Sequence, residues 1–425
     1  MSKSVVVGRY DKATKVSQIA ENLQQSGNKI HLKGLVGSSL SFVVNSLFHK
    51  SELPFLLIFE DKEAAAYYLN DLEQLIGEKD VLFYPGSFRR PYQIEEVDNA
   101  NVLLRAEVLN RINSRKKPAI IVTYPDALFE KVVTKKELDK NTLKVTVGDK
   151  ISIDFINEVL FEYEFKRVDF ITEPGEFSVR GGIIDVFSYS NDNPYRIEFF
   201  GNEVDSIRSF DVETQLSIEK KNKITIIPNV ENKFFQEDRE SFLDYISIKT
   251  AIFIQNTEGL HSKLDTLFAK AEEAFKNLNG TVKHLEPEQL FLNQKAFIKK
   301  ALDFTIVELG SKAIFRTNKT FEFHIQPQPS FNKQFDLLLN NLNDNHFNGI
   351  KNYLFCSNDA QAKRFHDIFQ TLDEANHESI RKQYDTIKFP LYQGFIDEEL
   401  QIACYTDHQI FERYHKFSIK KWQSD

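Results

Sequence analysis

The sequence predicts an α/β protein: an open parallel sheet covered on both faces, an antiparallel α+β module inserted into or following it, and a small closing α/β unit. Three observations carry this prediction. From residue 16 to 123, short apolar runs alternate with amphipathic helical spacings, the pattern of strands joined by crossover helices. Between 142 and 210 the period drops to two and tight-turn residues recur, as in hairpins. Strand and helix patterns alternate again near the end, after a polar, Asn-rich connection at 326–349.

Taken in order, Val16, Ile19, Ala20 and Leu23 recur at helical spacing, and Gly27-Asn28 stops that helix. Lys29 to Leu32 supplies a strand, Gly34 to Ser41 a turn, and Phe42, Val43, Val44, Leu47 and Phe48 the next helix. Phe55 to Phe59 is apolar throughout, as a parallel strand buried on both faces must be. Glu63 to Ile76 reads as an amphipathic helix closed by Gly77. Strands follow at 81–84 and 119–123, with a helix expected over 98–112. The texture changes near 131: strands are expected at 142–147, 177–180, 182–187, 195–200 and 203–210, with a helix at 152–161. Mixed character returns from about 214, with strands at 223–228 and 250–254 and a charged helix at 260–278. The closing unit offers strands at 353–356, 387–389 and 401–405, a helix at 359–374, and a turn at Gly394-Phe395.

Composition bounds the function. At 425 residues the chain suggests two to four domains. Lys+Arg total 54 against 62 Asp+Glu, a net charge of −8, which excludes a histone-like basic protein but leaves room for a local basic patch. Two cysteines cannot build a disulfide scaffold or a four-cysteine metal site, and the ten histidines fall in no metal motif. No run approaches the ~20 apolar residues a membrane span needs, and the opening residues lack a signal-peptide core, so a cytoplasmic protein is expected. The charged ending from Lys416 to Asp425 reads as part of a longer chain.

Gly34, Gly37, Ser38, Ser39, Leu40 and Ser41 form a glycine turn between a strand and a helix, the setting of a phosphate-binding loop. Such a loop needs G-x-x-x-x-G-K-[ST], in which the lysine reaches the phosphates and the hydroxyl meets Mg²⁺. Gly34, Gly37 and Ser41 fall in register, but Ser39 replaces the second glycine and Leu40 the lysine. A leucine cannot supply that charge, so competent ATP hydrolysis at this turn is not expected. What stays open is a relic nucleotide fold, a turn without that ancestry, or weak anion binding by the helix N-terminus.

A second candidate lies in Phe177-Ser-Val-Arg180-Gly181-Gly182. Alternation puts Phe177 and Val179 on one face and Ser178 and Arg180 on the other, so Arg180 projects from a rigid sheet. Arg167 precedes a strand and is positioned to join that surface. An arginine so placed suits an interface anchor; equally, it suits a structural pair with Asp185 or Glu176. Arg89 and Arg90, beside Pro91 and Tyr92, are candidates for a nucleic-acid backbone contact or a solvated loop. No catalytic residue and no metal ligand is nominated.

These strings resemble the N-terminal region of the bacterial transcription-repair coupling factor family (Mfd), whose first units resemble the excision-repair protein UvrB. The resemblance is carried by the turn at 34–41, Tyr84-Pro85, Pro91-Tyr92, the strand from Ile120 to Ala127, residues 175–187 and residues 195–210. It implies a degenerate P-loop helicase-like domain split between 1–130 and 214–325, an inserted UvrA-binding domain at 131–213, and a small third α/β domain at 330–415. It further implies UvrA as partner, with Arg167 and Arg180 at the interface and Phe177 and Phe187 supporting or contacting. Other implied contacts are intramolecular ones to distal motor domains, and RNA polymerase and DNA reached mainly through domains beyond this chain. ATP and Mg²⁺ belong to those motor domains, with no cofactor here and a monomeric chain. The competing expectations are a DNA- or nucleotide-binding module and a purely autoinhibitory one. The run from Tyr84 to Asn99 is too short for UvrB's DNA-inspecting hairpin, so damage verification is not carried over.

Overall fold

A computed structural model describes residues 2–87, 92, 105, 108–109, 111–112, 115–134, 142–189, 191–227, 239–278, 285–376 and 383–412. Two helices open it, α1 (Ser4–Asp11) and α2 (Thr14–Leu23). The apolar stripe of α2 is buried as its spacing predicts. The sequence reading starts at residue 16 and misses α1, whose Gly8 and Arg9 interrupt the apolar run, although Val6 and Tyr10 are buried. Then come β1 (Lys29–Lys33), α3 (Ser39–Ser51), β2 (Phe55–Ile58), α4 (Lys62–Ile76), β3 (Val81–Phe83) and β4 (Ile120–Thr123). The Asp61 carboxylate caps α4 by accepting from Ala64 N–H. Most of the helix expected over 98–112 lies outside the described residues.

The chain next forms β5 (Val132–Val133), β6 (Leu143–Thr146), the helix Ile153–Glu162, β7 (Lys166–Arg167), β8 (Glu176–Arg180), β9 (Ile183–Val186), β10 (Tyr195–Phe200), β11 (Glu203–Phe210), β12 (Ser217–Lys221) and β13 (Lys223–Ile226). It returns through β14 (Arg239–Glu240), β15 (Ala251–Ile254), the helix Thr257–Lys276, β16 (Thr305–Leu309) and β17 (Lys319–Glu322). It closes with β18 (Ile325–Pro327), β19 (Lys351–Cys356), β20 (Tyr384–Lys388), β21 (Phe395–Asp397) and β22 (Ile402–Thr406).

The architecture is mixed α/β in several sheets. Seven strands run in the order β17-β1-β16-β15-β2-β4-β3, with every neighbouring pair parallel. Strands β2, β4, β15 and β16 are buried along their whole length, the mark of a parallel sheet covered on both faces. Strands β15 and β16 come from after the antiparallel module yet lie between β1 and β2, so both halves of the chain complete one sheet.

The antiparallel module is a six-stranded sheet, β12-β11-β10-β9-β8-β7, antiparallel except for β7 beside β8, plus the ribbon β6–β13. Its inner face buries Phe177, Ile184 and Ile197 against Ile156 and Leu160 of the helix Ile153–Glu162. The sequence reading closes this module at 213; strands β12 and β13 lie beyond that point and pair within it. Strand β12 escapes a period-two pattern because it is a solvated edge, with its first four residues exposed.

The closing sheet, β18-β21-β22-β19-β20, is mixed. Phe395, expected in a turn, opens β21 and is fully buried. One face of this sheet packs on the helices Phe335–Phe347 and Asp359–Asn376. Phe355, Phe389, Leu391 and Phe395 instead join the apolar core of the first sheet. Helix α3 is therefore covered from both sides, and every residue from Ser39 to Phe48 is buried. No helix of the described residues is long and apolar enough to cross a membrane.

Candidate partner interface

Consider first the glycine turn. Gly34 has φ +93°, and a Cβ there would collide with the Phe323 carbonyl oxygen, so the close approach of β1 to the chain after β17 requires glycine. The turn then spends its polar groups internally. Val36 N–H donates to Ser39 Oγ (3.0 Å), and Ser39 Oγ–H donates to Val36 O (2.6 Å). Ser38 and Ser41 hydroxyls both donate to Asp71 Oδ2 at 2.7 Å, while Tyr392 N–H donates to Asp71 Oδ1 at 3.0 Å. Leu40, at the position where a phosphate loop carries lysine, is packed in the core.

Asp71 is fully buried on α4, and desolvation raises its carboxyl from the usual 3.8 to about 7, against three hydrogen bonds that favour the charged form. The phenols facing it, Tyr68 and Tyr392, are pushed upward by burial and stay protonated. Because the folded chain holds the Asp71 proton more tightly than the unfolded chain, stability is expected to fall as pH rises from about 4 to about 7 and then to level off. Asp71→Asn should flatten that limb when denaturation midpoints are compared at about pH 5 and about pH 8. The assignment fails if the variant keeps the wild-type difference between the two pH values.

The arginine hairpin follows the alternation expected. Phe177 is fully buried, Val179 partly buried, and Arg180 lies on the opposite face with its side chain 45% exposed. Asp185, directly across from Ser178 on β9, is 2% exposed and holds two guanidinium groups. Arg180 Nη2 donates to Asp185 Oδ2 at 2.8 Å; Arg196 donates through Nε to Oδ1 (2.8 Å) and through Nη2 to Oδ2 (3.0 Å). Of the two carboxylates weighed for Arg180, Asp185 is thus the partner. Glu176 turns instead to accept from Thr172 N–H (2.8 Å) and Glu173 N–H (3.2 Å).

Aromatic rings complete the arrangement. The Arg180 guanidinium lies 5.2 Å from the centre of the Phe170 ring, and that of Arg196 lies 4.3 Å from the Phe210 ring. Phe170 is 66% exposed, which leaves a cation and an apolar ring side by side in solvent. Farther along the face, Arg208 pairs with Glu198. Three arginines therefore share two carboxylates on one rigid surface, which tips it toward positive charge although the whole chain carries −8.

Several nominated residues are placed differently. Arg167 pairs in register with Phe177, so it belongs to the face opposite Arg180, although it is exposed on the edge strand β7. Phe177 and Phe187, named as supporting or contacting, are each at most 1% exposed, Phe177 in the module's main core and Phe187 in a small cluster with Ile171 and Phe210. Phe177 is on the inward face of its strand, and alternation already separated it from Arg180. Arg89 and Arg90 lie outside the described residues. Sequence reasoning missed Phe170 and the role of Arg196; the pairing of Arg196 with Asp185 depends on strand register, which no local pattern reveals.

A family model described as the UvrB interaction domain matches residues 143–232, the stretch that contains both the sheet and its exposed arginine face. The chain is similar to coupling factors and to UvrB proteins beyond this stretch as well. The transcription-repair-coupling factor of Bacillus subtilis (strain 168) is 32% identical over 254 residues, 60% of this chain and 20% of that protein. Its counterpart from Escherichia coli (strain K12) is 25% identical over 204 residues, 48% of this chain and 18% of that protein. The UvrABC system protein B of Thermosipho africanus (strain TCF52B) is 24% identical over 292 residues, 66% of this chain and 41% of that protein. The chain spans about a fifth of the length of the coupling factors it matches.

Proposed function

We propose that this module recruits UvrA through the outer face of its six-stranded sheet, with Arg180 as the anchor, in a protein that couples stalled transcription to excision repair. On this reading the whole protein displaces RNA polymerase by ATP-driven movement on DNA, using motor domains outside this chain. The chain itself is a degenerate nucleotide fold of helicase type that hydrolyses no ATP. Arg167, at the β7 edge, is a rim contact reached around that edge.

The observation that supports the reading most is the state of Arg180. Asp185 and Phe170 fix the guanidinium before any partner arrives, so little side-chain entropy remains to be lost on binding. Asp185 divides one negative charge between two arginines, so Arg180 keeps unspent positive charge and free donors for an acidic partner surface.

Titrating the chain with UvrA by calorimetry tests this. Saturable binding is expected, weakened at least about tenfold (about 1.4 kcal/mol) by Arg180→Ala and less by Arg167→Ala, with thermal melts confirming folded variants. Arg180→Lys, which keeps the charge but loses the fork, should fall between wild type and alanine. Equal affinity of Arg180→Ala and wild type would remove the anchor, and absence of binding by the wild-type chain would remove the recruitment reading.

A further inference from the structure

The glycine turn carries Leu40 where a phosphate loop carries lysine, and its serine side chains are buried. Ser38, Ser39 and Ser41 are at most 1% exposed. What covers them is the segment 390–394, which links β20 to β21. Ser38 N–H, an amide that a phosphate loop would aim at its ligand, donates to the Gln393 carbonyl at 3.0 Å. Gln393 N–H returns a hydrogen bond to Ser38 Oγ at 2.9 Å. A Cβ on Gly37 would stand 3.1 Å from both Gln393 Cβ and the Gly394 carbonyl oxygen, so glycine at this point admits the segment's backbone. Tyr392 stacks on Tyr67 at 4.3 Å between ring centres and meets Tyr68 edge-on at 5.3 Å. Asp71 ties the two sides together, accepting from Ser38, Ser41 and the Tyr392 amide.

We infer that this glycine turn is an internal socket for residues 390–394, with Asp71 as its anchor, and that a nucleoside triphosphate can enter only if this segment leaves. Three features bear on it together. The Ser41 hydroxyl, which would meet a phosphate-bound Mg²⁺, is committed to a carboxylate. The Ser38 amide is committed to a backbone carbonyl. The Asp71 side chain already takes both hydroxyls of the turn, so a polyphosphate would have to displace it. The socket therefore does two things: it closes the nucleotide position, and it fastens the closing sheet over α3.

Amide hydrogen exchange on the full chain tests this. Asp71→Ala leaves two hydroxyls and one amide without their acceptor, so the amides of Ser38, Tyr392 and Gln393 should exchange at least roughly tenfold faster, while peptides covering β9 and β10 stay unchanged. Tyr392→Ala removes the ring stack and leaves Asp71 and the turn intact; it should speed exchange at 392–394 by a smaller factor, and it serves if Asp71→Ala does not fold. ATP with Mg²⁺, or pyrophosphate alone, should leave wild-type exchange at 34–41 unaltered. The inference is overturned if the folded variants protect 390–394 as well as wild type does. Protection of 34–41 by ATP without loosening of 390–394 would overturn it too. Neither readout depends on UvrA.

Discussion

Replacing Arg105 with methionine is expected to destabilise the parallel-sheet core by about 3–5 kcal/mol. Arg105 is 1% exposed, yet its guanidinium is well supplied: it donates to Pro85 O at 2.9 Å, to Ala127 O at 3.1 Å and to Glu130 O at 3.4 Å. It also pairs with Glu130 Oε2 at 3.5 Å and lies 4.4 Å from the centre of the Tyr84 ring. Methionine fills much of the volume but supplies none of the charge. The Glu130 carboxylate, 3% exposed, would keep Ser87 as a donor and lose its pairing with Arg105. The second variant, Arg105→Met with Glu130→Gln, should recover part of the loss, because it also removes the buried charge that Arg105 offsets. Denaturant midpoints of the three proteins read this directly; a single variant within about 1 kcal/mol of wild type would show that the pair contributes little.

Phe42→Ala should be nearly as costly, by about 3–5 kcal/mol, and should act on two units at once. Phe42 is fully buried on α3 and stacks on Tyr10 with ring centres 5.8 Å apart. It meets Phe395 edge-on at 6.0 Å and Phe355 at 6.1 Å, both from the closing sheet. Truncation therefore leaves a cavity at the junction where the two sheets share one core. The closing unit is expected to melt earlier in the variant, seen as a separate transition or as faster proteolysis between 383 and 412. Phe42→Leu should lose far less. A single unshifted melt for Phe42→Ala would mean that the junction contributes little to the coupling.

Much of this was legible in the sequence wherever burial and period coincide. The apolar run at 55–59 and the spacing of 16–23 specify their elements because each must hide one face or two. Strand β16 escaped notice because Thr305-Ile-Val-Glu-Leu309 carries a carboxylate in a fully buried strand. Glu308 is tolerated there because Thr257 Oγ1–H and the amides of Ile314 and Phe315 all donate to it, partners that only the tertiary fold supplies. Strand β17 escaped for the opposite reason: three of its four residues are exposed at the sheet edge. At the candidate interface, the local pair of Arg180 with Asp185 was among the alternatives weighed, being five residues apart on a hairpin. The share taken by Arg196 and the ring of Phe170 depend on register and on a returning loop. The burial of Arg105 is likewise invisible in sequence, since an arginine within a helical stretch reads as solvated until its acceptors are known.

The interleaving of the first sheet bears on how the chain acquires its structure during synthesis. Among the described strands, β1 pairs with β16 and β17 alone, so it has no neighbour until residues 305–322 leave the ribosome. The module at 143–226 depends on no such wait, since all its strands pair with one another and it has an apolar core of its own. Vectorial synthesis thus favours completion of the partner-facing sheet while β1 and β2 still expose unpaired edges, the state in which chaperone binding or misassembly is most costly to avoid. Slow translation before residue 305 would lengthen that exposure, and fast translation through 305–322 would shorten it.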